Sequence, residues 1–279
     1  MEKTSLPKYS VLMSLYIKEQ PEYFRLAVDS MLNQTVAPDE ILIVEDGPLT
    51  DELYVVLSEF KEKYPQVVDT IKLEKNCGLS FALNEGLKKC RNELVARMDT
   101  DDYSLSSRCE KQLEFFANNP NLSLLGTQTR YFKNTPDDAE DKIHYHPIGM
   151  TAIKKEIRRY SPFGHPTVMY KKSAVLACGG YDIELRRSQD YDLFSKMIAA
   201  GYDADNIDEA LVLFRADDKM MERNKSKASC IARVAIQKKL YKLGECSLGD
   251  LLFIQLAMFI SRMVPISFYS FIYKIVKRK

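Results

Sequence analysis

The chain of 279 residues has no tryptophan, only three histidines, and six cysteines, none in a C-x-x-C pair. No zinc-site spacing arises from them. Cys77, Cys90, Cys109, Cys178, Cys230 and Cys246 are scattered, several at apolar positions of expected helices, so they read as buried free thiols of a reducing compartment. Charge of one sign is also lacking: 40 Lys and Arg against 39 Asp and Glu leave a net +1. A nucleic-acid partner held by a bulk positive field is therefore not expected. The opening "MEKTSLPKYSVLMSLY" carries no apolar h-region with a cleavage signal, so export by a signal peptide is not expected either. There is no internal repeat. Glycine is absent before Gly47, which removes both the G-x-G-x-x-G fingerprint and the G-x-x-x-x-G-K-[ST] loop from the first apolar run. A nucleotide bound here must be held by side chains and a metal.

Hydrophobic content of 46% and charged content of 28% suit a packed core, and the length suits one large α/β domain or one domain with an extension. Short apolar runs alternate with helical spacing through the first half. "YSVLMSLY" reads as a buried strand; Phe24, Ala27, Val28 and Met31 then recur at helical spacing behind Pro21. "EILIVED", "VVDTIKLE", "LVARM" and "LSLLG" read as further strands, separated by helices. That order indicates parallel β-α-β units with ligands at the carboxyl ends of the strands. After Gly126 the pattern loosens, and residues 133–150 read as a polar surface loop. "PTVMY" and "EALVLFRA" resume strands, "DYDLFSKMIAAG" is a helix stopped by Gly201, and a last helix runs from about Lys225 to Leu243 before Gly244.

"ELVARMDTDDYS" ends a buried strand in three aspartates within four positions. Such crowding fits a turn, because Asp caps helices, and it fits a cation site, because hard divalent ions take carboxylate oxygens.

"SVLMSLYIKE", "SMLNQT", "EILIVEDG", "NCGLSFALNEGL", "ARMDTDD" and "SQDYDL" follow one another in an order that resembles the family 2 glycosyltransferases over roughly residues 8–215. Among these, the bacterial surface and exopolysaccharide enzymes of the amylovoran type are the most similar. The resemblance implies a Rossmann-like A-type fold, with a mostly parallel central sheet flanked by helices. It implies inverting transfer of one sugar from a nucleotide-diphospho sugar, UDP-sugar favoured, to a saccharide acceptor. Residues 1–220 would form the catalytic domain, and 221–279 a C-terminal helical extension.

The same resemblance assigns site residues. Tyr16, beside Ser14, would stack on the base, and Asp46 would accept a hydrogen bond from it, near Asn76. Asp101 would ligate Mn²⁺ or Mg²⁺, with Asp102 ligating directly or through water, and Asp99 would contact ribose or sugar. Arg97 and Arg108 bracket the motif and could face phosphate; Arg97 alternatively pairs with the aspartates. Asp190 would be the general base. The family's Glu-Asp pair reads Gln189-Asp190 here; a cap on the helix N-terminus is the plainer role for that aspartate. His165 would lie near the site and the Gly179-Gly180 turn near the acceptor. Where relatives carry a late metal-binding histidine, this chain has Asp217 and Asp218. With no tryptophan, the Q-x-x-R-W motif of processive synthases is impossible.

The tail, "LGDLLFIQLAMFISRMVPISFYSFIYKIVKRK", is broken by Gln255, Arg262 and Pro265. Two short helices in a membrane interface fit it, with Lys274, Lys277, Arg278 and Lys279 near head groups; a hairpin packed on the domain, or on a second copy in a homodimer, fits equally. The expected enzyme is cytoplasmic and peripheral on the inner membrane face, acting on a lipid-linked saccharide. Two other readings stand beside it: a nucleotidyltransferase, against which the missing glycine loop counts, and an inactive sugar-nucleotide-binding protein.

Overall fold

The computed structural model describes residues 6–216 and 226–264. Four parallel strands come first: β1 (Tyr9–Leu15), β2 (Glu40–Glu45), β3 (Val68–Lys72) and β4 (Leu94–Arg97). The helices between them are α1 (Pro21–Leu32), α2 (Asp51–Lys63) and α3 (Leu79–Lys89). Then come β5 (Tyr103–Ser104), α4 (Arg108–Asn118), β6 (Leu122–Phe132), α5 (Met150–Glu156), β7 (Met169–Lys171) and α6 (Lys172–Ala177). Next are α7 (Gln189–Ala199), β8 (Asp203–Arg215), α8 (Lys227–Lys242) and α9 (Leu248–Met263).

The strands form one sheet in the order β3-β2-β1-β4-β7-β6-β8-β5. Only β7 and β5 run against the rest. The sheet is covered on both faces, and the strand period of two divides the core. Leu12, Leu42, Val44 and Val95 pack under α3, α5, α7 and α8, whereas Val11, Met13, Ile41, Ile43 and Ala96 pack under α1, α2 and α4.

Several local readings needed revision. β6 does not stop at Gly126 but runs to Phe132, because β8 pairs with it along that length. Pro166 and Thr167 lie in a 3₁₀ turn, leaving β7 only three residues, and β5 is formed purely by pairing with β8. The extension joins the main core, since Ile236, Leu240 and Cys246 belong to the cluster that includes Phe194 and Met197. Cys90, Cys109, Cys230 and Cys246 are buried free thiols, whereas Cys77 is exposed. Asp217, Asp218 and the tail from Pro265, including Lys274, Lys277, Arg278 and Lys279, lie outside the described residues.

Candidate active site

Because β2, β1 and β4 are adjacent and parallel, their carboxyl ends carry Asp46, Tyr16 and the Asp99–Asp102 run to the same edge of the sheet. Ser14 is half-buried near the end of β1, opposite Val44, and Tyr16 is 41% exposed just beyond it. Asp46 is buried. Its Oδ1 accepts the Cys77 amide at 2.7 Å and its Oδ2 the Gly78 amide at 3.0 Å. Asn76, itself exposed, donates from Nδ2 to the Asp46 carbonyl at 3.2 Å. These bonds pin the loop after β3 against the end of β2. Gly47 makes the approach possible: its φ is +88°, and a Cβ there would sit 2.6 Å from the Asn76 nitrogen.

At the end of β4, Asp99, Asp101 and Asp102 each offer a carboxylate oxygen, all within 4.8 Å of one another. Burial, then the charges of Asp99 and Glu19, push the Asp101 carboxyl up to about 7. Burial and its two neighbours raise Asp102 well above the usual carboxylate range. Asp102 is nearly fully buried; its Oδ1 accepts the Arg215 amide at 2.7 Å, and its Oδ2 has no hydrogen-bond partner among the described residues. Oxygen-only donors, mutually repelling and partly unpartnered, fit a hard divalent cation.

Two residues not anticipated from the sequence complete this edge. Glu19 accepts the Thr100 hydroxyl at 2.6 Å, and burial raises its carboxyl above the ordinary range. Arg215 closes β8 onto the cluster, with Nε donating to the Asp101 carbonyl at 2.8 Å and its guanidinium between the rings of Tyr23 and Phe132. Arg215 stands 113 positions from Asp102, and no spacing links the two.

Arg97 pairs with Asp99, and its Nε and Nη1 have no partner among the described residues, although the side chain is buried. Arg108 turns out differently from the expectation that it could face phosphate. It is fully buried, and its Nη2 donates to the carbonyls of Arg97 at 2.9 Å and Val168 at 3.3 Å. It braces β4 from behind, because its donors reach backbone carbonyls inside the protein before they reach any surface.

Asp190 lies in the first turn of α7. Burial raises its carboxyl; the Arg97 charge opposes that, and the Asp99 charge adds to it, so the three share one field. Ser188, two residues earlier, is the only non-glycine with positive φ among the described residues, at 56°. His165 Nε2 lies 3.0 Å from the Tyr181 hydroxyl, and burial, then the Arg97 charge, lowers its imidazole well below the usual value. Thus Asp99 pairs with Arg97, and the same guanidinium charge acts on Asp101, Asp102, Asp190 and His165, while Ser14, Tyr16, Asp46 and Asn76 lie toward the β1–β2 end of the same edge. A carboxylate kept basic by burial, within the field of an acid cluster suited to a metal, has the chemistry to deprotonate a nucleophile.

Comparison with known proteins identifies the family. The family model described as "Glycosyl transferase family 2" matches residues 10–178. The chain is 36% identical over 273 residues to "UDP-Gal:alpha-D-GlcNAc-diphosphoundecaprenol beta-1,3-galactosyltransferase" of Escherichia coli, covering 98% of both chains. It is 31% identical over 268 residues to the amylovoran biosynthesis glycosyltransferase AmsE of Erwinia amylovora, covering 95% of this chain and 98% of that one. Among solved structures, the mannosyltransferase PcManGT from Pyrobaculum calidifontis, in complex with GDP-Man and Mn²⁺, superposes with a TM-score of 0.62. That match, at 13% identity, covers 99% of this chain and 82% of the other and speaks for the fold alone. On the family match and the near full-length relatives, the chain belongs to glycosyl transferase family 2 and is a glycosyltransferase with the A-type fold.

Proposed function

We propose that this glycosyltransferase moves one hexose or N-acetylhexosamine, with inversion, from a UDP-sugar to a lipid-linked saccharide during surface polysaccharide assembly. The observation that carries the reading is the Asp99–Asp101–Asp102 cluster at the end of β4, whose neighbour Arg97 also acts on the buried Asp190 carboxyl. Asp190 takes the proton of the attacking hydroxyl, and burial gives it more basicity than an ordinary carboxylate. Tyr16 offers an exposed ring to the base, and Asp46 and Asn76 hold the loop beside it. Arg97 has spare donors for donor oxygens. Asp101 and Asp102 would hold Mn²⁺ or Mg²⁺, which when bound neutralises the charge of the departing diphosphate. The 36% identical relative, whose printed name gives UDP-Gal and a diphosphoundecaprenol acceptor, supports the donor and acceptor classes.

The lipid acceptor also accounts for α9. Leu252, Leu256, Phe259 and Met263 lie on one side of it and are exposed, while Ile254 and Met258 pack toward Cys230. Among the described residues no helix is long and apolar enough to cross a membrane. The reading is therefore a peripheral enzyme with α9 lying in the cytoplasmic membrane interface. Flotation with anionic vesicles tests it: Leu256→Ser with Phe259→Ser should leave the protein in solution. A wild type that stays off vesicles and sediments as a dimer makes this face a contact between copies.

The catalytic reading is tested by incubating the full chain with Mn²⁺ and labelled UDP-sugars, with or without a diphosphoundecaprenol-linked sugar. Transfer, or slow donor hydrolysis, is expected. Pyrophosphate release from a nucleoside triphosphate would make the protein a nucleotidyltransferase; binding without turnover of any donor would make it an inactive sugar-nucleotide-binding protein.

A further inference from the structure

Helix α8 follows the catalytic sheet in sequence, yet its polar side chains end on both residues that follow Asp190. Gln237, fully buried, donates from Nε2 to the Tyr191 hydroxyl at 2.8 Å, and that hydroxyl donates to the Ile157 carbonyl at 2.6 Å. Lys239 Nζ donates to Asp192 Oδ1 at 2.7 Å and to Asp182 Oδ2 at 2.8 Å. Lys196, one turn along α7, pairs with Asp192 Oδ2 at 3.0 Å and donates to the Gly180 carbonyl at 2.7 Å. Lys239 thus ties the first turn of α7 to the turn that presents Tyr181, whose hydroxyl faces His165.

Upstream of Asp190 the chain is held differently. Ser188 sits in the left-handed region without a side-chain cap bond to the helix. A non-glycine residue stays there only where its surroundings over-determine the conformation. The chain just beyond it is fixed by the bonds from α8 to Tyr191 and Asp192. Asp192 is 1% exposed; without Lys239 its Oδ1 loses its hydrogen bond, Lys196 alone is left to balance the charge, and the first turn of α7 is no longer tied to Asp182.

We propose that α8 is a positioning element of the active site, with Lys239 and Gln237 as positioning residues that fix the Asp190 carboxylate relative to the Gly180–Asp182 turn. This rests on the reading of Asp190 as the general base. Displacing a base by a fraction of its hydrogen-bond length lowers the rate steeply while leaving the donor pocket untouched.

The test uses the full chain. Lys239→Ala should lower kcat roughly tenfold, with donor KM within about twofold of wild type. Lys239→Arg, which restores a cation to both carboxylates, should recover most of the loss. Combined with Asp190→Asn, Lys239→Ala should add no further loss, because the group being positioned is already disabled. A wild-type kcat in Lys239→Ala, or a full additional loss in the double variant, overturns the proposal. Hydrogen exchange in residues 190–193 gives an independent reading: faster exchange in Lys239→Ala supports it, and unchanged protection overturns it. If Asp190→Asn retains wild-type activity, the base assignment falls, and the exchange result still decides the positioning. Should Lys239→Ala fail to fold, Lys239→Gln and Gln237→Met carry the same comparison.

Discussion

Without metal, the protein should be more stable with Asp101 neutralised than with it charged. Burial and the charges of Asp99 and Glu19 lift the Asp101 carboxyl from 3.8 to about 7. A rise of that size corresponds to about 4 kcal/mol of unfavourable free energy for the ionised group in the folded chain. A carboxyl that titrates higher in the folded than in the unfolded chain adds stability while protonated. That stability is complete below its unfolded value and is lost as pH rises through about 7. Asp101→Asn has no charge to acquire and keeps the stability throughout. The neighbouring acids share the penalty, so the expected gain in Tm is about 5 °C at about pH 8 and about a third of that at about pH 5. Scanning calorimetry in chelator at the two pH values reads both. Adding Mn²⁺ at the higher pH should then raise wild type and leave Asp101→Asn nearly unmoved. A variant that melts at or below wild type in chelator at about pH 8, or a wild type indifferent to pH across this range, would refute the electrostatic account of the cluster.

Asp190→Asn should reduce kcat by about 10²–10⁴-fold while a donor still raises Tm. The acid limb of the wild-type kcat–pH profile should lie above the ordinary carboxylate range, because burial raises this carboxyl and it serves as a base only when ionised. Tyr16→Ala should weaken donor binding in calorimetric titration by about 1–3 kcal/mol, the worth of one aromatic–base stack. Gly86→Ala should destabilise the fold by about 1–3 kcal/mol in urea unfolding with site residues unchanged. There a Cβ would meet Leu12 Cδ1 at 2.4 Å and Val44 Cγ2 at 2.7 Å, where α3 lies against β1 and β2.

The first half of the chain was the most legible, because a strand buried on both faces and an amphipathic helix each leave a short-range pattern. Leu12 and Val11 point to opposite cores simply by alternation, and Phe24, Ala27, Val28 and Met31 share a helix face by spacing alone. The aspartate run was equally plain, since Asp99, Asp101 and Asp102 are brought together by their own turn. Arg108 was harder to place. An arginine beside an acidic motif can turn either way, and only the packing of α4 against β4 sends its donors to the carbonyls of Arg97 and Val168.

By itself, then, the sequence determined the α/β alternation, the carboxylate cluster, the family and the place of Asp190 in the first turn of a helix, because each depends on residues near in the chain or on an ordered set of motifs. Tertiary structure alone decided what surrounds them. It set Glu19 against Thr100, carried Arg215 across 113 positions to Asp102, and clamped α7 from α8 through Gln237 and Lys239. Those contacts are single polar bonds between distant segments. A hydrogen bond has no periodicity, so nothing in the local pattern announces which donor will meet which acceptor until the sheet has closed and buried them together.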